Sequence, residues 1–125
     1  VENISFSGNL SGIFSKYNTT YITFDPTDNN MAYVALAASE LTINLAQVMG
    51  VNLSASCTTN DTYSEACQNR TIVNCGDAGK SVIYIKESNE TNAGVTGSCI
   101  TVQGKDIELT RAVDRVLYKI YGIMP

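Results

Sequence analysis

The stretch Cys99-Ile100-Thr101-Val102-Gln103-Gly104-Lys105-Asp106-Ile107-Glu108-Leu109 decides the fold. Cys99 to Gln103 reads as a strand rich in β-branched residues. Gly104 and Lys105 lead to Asp106 as a natural N-cap, with Glu108 in the first turn of the helix that follows. Leu109, Ala112, Val113, Val116, Leu117 and Ile120 then recur at helical spacing, while Arg111, Asp114, Arg115 and Lys119 face away, and Gly122 ends the stripe. A strand running into an amphipathic helix predicts a sheet with helices laid on it.

Working toward the N-terminus, Ser81-Val82-Ile83-Tyr84-Ile85 is a nearly continuous apolar run, the mark of a central strand covered on both sides. A polar loop over 87–98 separates it from Cys99–Gln103, which is expected antiparallel to it. Val51-Asn52-Leu53-Ser54-Ala55 alternates, with Asn52 on the polar face. From Met31 to Met49, Val34, Ala37, Ala38, Leu41, Leu45, Val48 and Met49 form a second helical stripe, and Gly50 follows where helices end in a left-handed residue. Thr20-Tyr21-Ile22-Thr23-Phe24 reads as a strand stopped by the turn Asp25-Pro26-Thr27-Asp28. Glu2 to Ser7 alternates as another. The predicted class is α/β (α+β): one domain over 1–125, a mixed sheet of about five strands with two long helices, in the order β-β-α-β-β-β-α. Residues 1–24 hold the N-terminal strands, and 57–80 is a disulfide-bearing loop region.

The surface is more informative than any single side chain. Seven of the twelve asparagines, Asn3, Asn9, Asn18, Asn52, Asn60, Asn69 and Asn89, stand in Asn-x-Ser/Thr sequons. Chance placement would give about two, so the pattern predicts N-linked glycans and an extracellular, cell-surface location. Charged residues are only 16%, and a net charge of −4 with 8 basic residues argues against nucleic acid and anionic membrane surfaces. No run of eighteen apolar residues occurs, so no direct membrane span is expected.

Cys57, Cys67, Cys75 and Cys99 lack tight ligand spacing, and the chain has no histidine, which disfavours zinc and predicts two disulfides. If 51–56 lies parallel beside 81–86 and 99–103 antiparallel to it, Cys57 meets Cys99 and Cys67 closes on Cys75. The favoured pairing is therefore Cys57 with Cys99 and Cys67 with Cys75. The sequence-local alternative joins Cys57 to Cys67 and Cys75 to Cys99.

Other constellations favour no chemistry of their own. Gly79-Lys80-Ser81 lacks the upstream glycine and following helix of a phosphate loop. Asp25 and Asp28 offer clustered oxygens for calcium, but a capped turn before a helix explains them equally. Absent histidine and paired cysteines remove the commonest base and a thiolate nucleophile, so no catalytic residue, cofactor or metal is assigned. The N-terminal strand at 3–7 suits pairing at home, or exchange into a neighbour by strand addition.

Three segments, Val82–Ile85, Cys99–Asp106 and Thr110–Leu117 with its Arg111-Ala112-Val113, resemble modules of archaeal cell-surface proteins, S-layer proteins among them. The same strand-Gly-x-Asp-helix layout is similar to the non-catalytic α/β domain of some glycoside hydrolases. The resemblance covers about half the chain and carries no catalytic motif. It implies a non-enzymatic structural or assembly role in an S-layer, extracellular filament or other envelope glycoprotein, with self-association or other cell-surface proteins as partners. The alternative it implies is a carbohydrate-binding or accessory domain of a larger extracellular hydrolase.

Overall fold

A computed structural model of the chain describes residues 5–7, 19–25, 31–48, 50–58, 71–77 and 79–123. It is a mixed sheet with two long helices. The strands are β1 (Ser5–Ser7), β2 (Thr20–Phe24), β3 (Leu53–Cys57), β4 (Thr71–Ile72), β5 (Ser81–Glu87), β6 (Asn92–Thr96) and β7 (Cys99–Gly104); the helices are α1 (Met31–Thr42) and α2 (Glu108–Ile123). The five expected strands and two helices come in the expected order, and two further strands, the two-residue β4 and the five-residue β6, add to them. Spatially the sheet runs β1-β6-β7-β5-β2-β3-β4.

Three expectations about pairing are corrected. β5 and β7 are parallel, with Ile83 beside Ile100 and Ile85 beside Val102. The cause lies in 87–98, which is not a simple loop. It contains β6, antiparallel to β7 through the two-residue turn at Gly97 and Ser98, so the chain has already reversed once before β7 begins. β7 then fills the gap between β5 and β6. Next, β3 does not lie beside β5, because β2 stands between them, parallel to both. This follows from the α1 crossover, which returns the chain to the free edge of β2.

The third correction concerns sulfur. Cys75 is bonded to Cys99, with a Cα–Cα distance of 5.4 Å, so the favoured pairing of Cys57 with Cys99 and Cys67 with Cys75 is overturned. Cys57 is level with Val102, so it stands three strand spacings across and three residues along from Cys99, about 17 Å in all, and the two belong to hydrophobic clusters on opposite faces of the sheet. Cys57 is also disulfide-bonded; Cys67, the fourth cysteine, lies outside the described residues.

Both helices cover one face. Ile22, Phe24, Ile83, Ile85, Ile100 and Val102 project into a single core with Val34, Ala37, Leu41 and Leu45 of the first helical segment and Leu109, Ala112, Val113, Val116, Leu117 and Ile120 of α2. Every α2 residue of the predicted stripe is buried. β5 is buried on both faces along most of its length, as its unbroken apolar run required.

At Ile43 the first helix widens into a π-helical turn, Ile43–Val48. Two side chains bond back to the backbone there: Thr42 Oγ1 donates to the Ala38 carbonyl at 2.8 Å, and Asn44 Nδ2 donates to the Glu40 carbonyl at 2.9 Å. Such back-bonding competes with the regular ladder and loosens it. Gly50, at φ 73, then turns the chain, and the Val51 amide reaches the Leu45 carbonyl at 2.8 Å.

The entry to α2 departs from a simple cap. Asp106 has left-handed backbone, φ 53, a conformation Asp tolerates better than most residues. Its amide donates to Glu87 Oε1 at 3.0 Å, and its carbonyl accepts the Leu109 amide at 3.1 Å. Gly104 allows this tight passage. A Cβ placed there would stand 2.8 Å from the Glu108 carbonyl carbon and the Leu109 nitrogen.

Candidate functional surfaces

The sheet face opposite the helices is crossed by a strap, residues 73–77. Val73, fully buried, sits with Val82 and Cys99 in a second small cluster flanked by Tyr21 and Tyr84. The strap is held by its backbone: the Val73 amide donates to the Cys57 carbonyl at 3.0 Å, and the Val73 carbonyl accepts buried Thr23 Oγ1 at 2.8 Å. Asn74 Nδ2 donates to the Thr58 carbonyl at 3.2 Å, and Asp77 Oδ2 accepts the Asn74 amide at 2.9 Å. The disulfide to Cys99 ties the far end to β7. Here the bond supplies the order that hydrogen-bonded secondary structure supplies elsewhere.

Of the seven sequons, Asn52 and Asn89 fall among the described residues; Asn3, Asn9, Asn18, Asn60 and Asn69 lie outside them. Asn52 and Asn89 are both exposed. Asn52 immediately precedes β3, and its Nδ2 donates to Thr19 Oγ1 at 3.2 Å. Asn89 sits in the bend after β5, beside the Ser88 Oγ that accepts the Glu90 amide at 3.2 Å. Because β3 and β5 run in the same direction, these two asparagines mark opposite ends of the sheet.

Among the described residues the acidic side chains form no cluster of three or more. Asp25 follows β2 directly, and Asp28 lies outside the described residues. Among the described residues no group of three or more His, Cys, Asp or Glu side chains is placed to hold a metal. Asp77 caps its own turn, and Glu87 anchors the approach to α2. Glu108 pairs with Arg111 at 3.0 Å on an exposed surface, where such a bridge adds little. Lys80 Nζ lies 5.5 Å from the centre of the Tyr21 ring, a cation–π contact beside the strap.

One pair was invisible to sequence reasoning. Glu40 of α1 meets Asp114 of α2 across the seam between the helices. Partial burial, then a hydrogen bond to Asp114, then the Asp114 charge push the Glu40 carboxyl up from 4.5 to about 7. Two acids at one contact are held together by sharing a proton. The helical periods place both residues on flanks, but nothing in the linear order says that these flanks touch.

No described helix is long and apolar enough to cross a membrane. No family model, curated protein or solved structure matches the chain.

Proposed function

We propose that this chain is a non-enzymatic, N-glycosylated domain of a secreted cell-surface glycoprotein with a structural or assembly role, in an S-layer, an extracellular filament or another envelope assembly. The sequon density carries this reading: seven acceptors in 125 residues make sense only beyond a membrane, where glycans supply hydration that a 16% charged surface does not. Exposure of Asn52 and Asn89, and the disulfide clamp on the strap, support it. An oxidising compartment suits both.

Assembly by strand addition is part of the proposal. Among the described residues β1 contributes three residue pairs, Ser5 beside Asn92, Phe6 beside Ala93 and Ser7 beside Gly94, at the edge of the sheet. So short an edge strand exchanges between copies at low cost, and main-chain hydrogen bonds would give the affinity.

A second reading, a carbohydrate-binding or accessory domain of an extracellular hydrolase, is favoured by the partly exposed Tyr21 and Tyr84 beside Lys80 on one sheet face. Mass spectrometry of the native protein before and after deglycosylation, with electron microscopy of the same material, separates the two. The first reading expects heavy, heterogeneous glycan mass and filaments or lattices. Bare asparagines with free thiols would end it, and selective binding on a glycan array with no ordered assembly would favour the second.

A further inference from the structure

The first helix has two apolar faces, and the core uses only one. Its outward residues are Ala32, Ala35, Leu36, Ser39, Thr42 and Ile43, all exposed and all uncharged. Leu36 and Ile43 are 54% and 52% exposed, among the largest apolar groups the described surface presents. Ala32, Leu36, Ser39 and Ile43 follow one another at spacings of four, three and four, the period of a coiled-coil seam rather than of scattered surface residues. A helix apolar on both sides is normally covered on both sides.

The seam is complementary to itself. Lay a second copy antiparallel across it, with the two-fold axis level with the midpoint between Ala37 and Ala38. Leu36 of one copy then stands opposite Ser39 of the other, and Ile43 opposite Ala32. Each large side chain meets a small one, twice over by symmetry, as an isologous contact requires. The Ser39 hydroxyl can satisfy itself on the helix's own Ala35 carbonyl, four residues back.

Charge and carbohydrate point to the same occupant. Two copies of a −4 chain repel least where neither presents a charge, and Glu40 is the one charged residue between Met31 and Val48. No sequon occurs between Asn18 and Asn52, nor after Asn89, so neither helix carries a glycan acceptor while the rest of the chain carries seven. A face without glycans on an otherwise decorated domain is a face kept free for contact.

We propose that the outer seam of the first helix, Ala32, Leu36, Ser39 and Ile43, is a homotypic interface that binds the same seam of a second copy, antiparallel about a two-fold axis. The seam from Ala32 to Ile43 is about 17 Å long, at the small end of specific interfaces, so the dimer dissociates in the micromolar range or above. The inference rests on the reading of an assembling surface domain. It adds to strand exchange at β1 a second, independent contact that would cross-link chains of subunits laterally.

Sedimentation velocity on the full chain, from about 1 μM to 1 mM, tests it. Wild type is expected to pass from monomer to dimer across that range, and Leu36→Glu to raise the midpoint at least tenfold with an unchanged melting temperature at low concentration. Mixing Leu36→Cys with Ser39→Cys protein is expected to give a cross-linked heterodimer in preference to either homodimer, which reports the register. A monomer at every concentration overturns the proposal, as does a dimer indifferent to Leu36→Glu. A large drop in the melting temperature of the Leu36→Glu monomer also overturns it, since a segment of the chain itself would then cover the seam. Glycan occupancy is measured separately, so loss of the parent reading and loss of this one are distinguishable.

Discussion

Replacing Cys75 and Cys99 together by alanine cuts the far end of the strap from β7 while leaving the other disulfide in place. The bond spans a sequence separation of 24. Chain-entropy arithmetic for a loop of that size gives about 3.5 kcal/mol. Cys99 is 2% exposed and packs against Val73 and Val82, so losing its sulfur removes roughly 1 kcal/mol more of apolar contact. For a domain of this length the unfolding entropy near the midpoint is about 260 cal/mol/K, which turns the sum into a fall in melting temperature of roughly 15 °C. Thermal unfolding followed by far-UV circular dichroism measures it. Hydrogen exchange should show the damage concentrated at the Val73 amide, which is bonded to Cys57, and much less at Ile83 or Ile100. A fall under about 3 °C would refute the reasoning, since the strap would then be ordered without its clamp.

Gly104→Ala pushes a methyl group to 2.8 Å from backbone atoms of Glu108 and Leu109. Neither can yield without moving the start of α2, so a loss of about 2–3 kcal/mol in denaturant unfolding is expected. Stability should also fall as pH rises from about 4.5 to 7, because folded Glu40 keeps a proton over that window that the unfolded chain has already released. Glu40 is only partly buried, so the change is about 1 kcal/mol after solvent screening. Urea midpoints taken across that window should decline in the wild type and stay flatter in Glu40→Gln. Asn52→Gln and Asn89→Gln should each remove one glycan mass from protein recovered from its native source, with melting temperature shifted by less than about 2 °C, since both side chains are exposed.

Much of the architecture is legible in the linear order because burial has a period. The α2 stripe from Leu109 to Ile120 and the unbroken run in β5 identify their own elements, since a helix or strand must turn its apolar positions to one side or be covered on two. β6 escaped for a related reason. Asn92-Ala93-Gly94-Val95-Thr96 carries an alternation too weak to stand out from a polar loop, and it forms a strand because β7 is there to pair with it. That one missed strand reversed the inferred direction of β7 and, with it, the inferred partner of Cys99.

The candidate surfaces divide in the same way. The sequons at Asn52 and Asn89 are local motifs, readable at sight, and the alternation about Asn52 already turned it outward. The contact of Glu40 with Asp114, the strap over Thr23 and the bond from Cys75 to Cys99 are all meetings of residues distant in the chain. Local sequence determines which side chains seek cover, because periodicity is a property of neighbours. Only the folded chain decides which covered faces meet, because strand order, direction and sulfur pairing depend on where crossovers deliver segments that no local pattern connects.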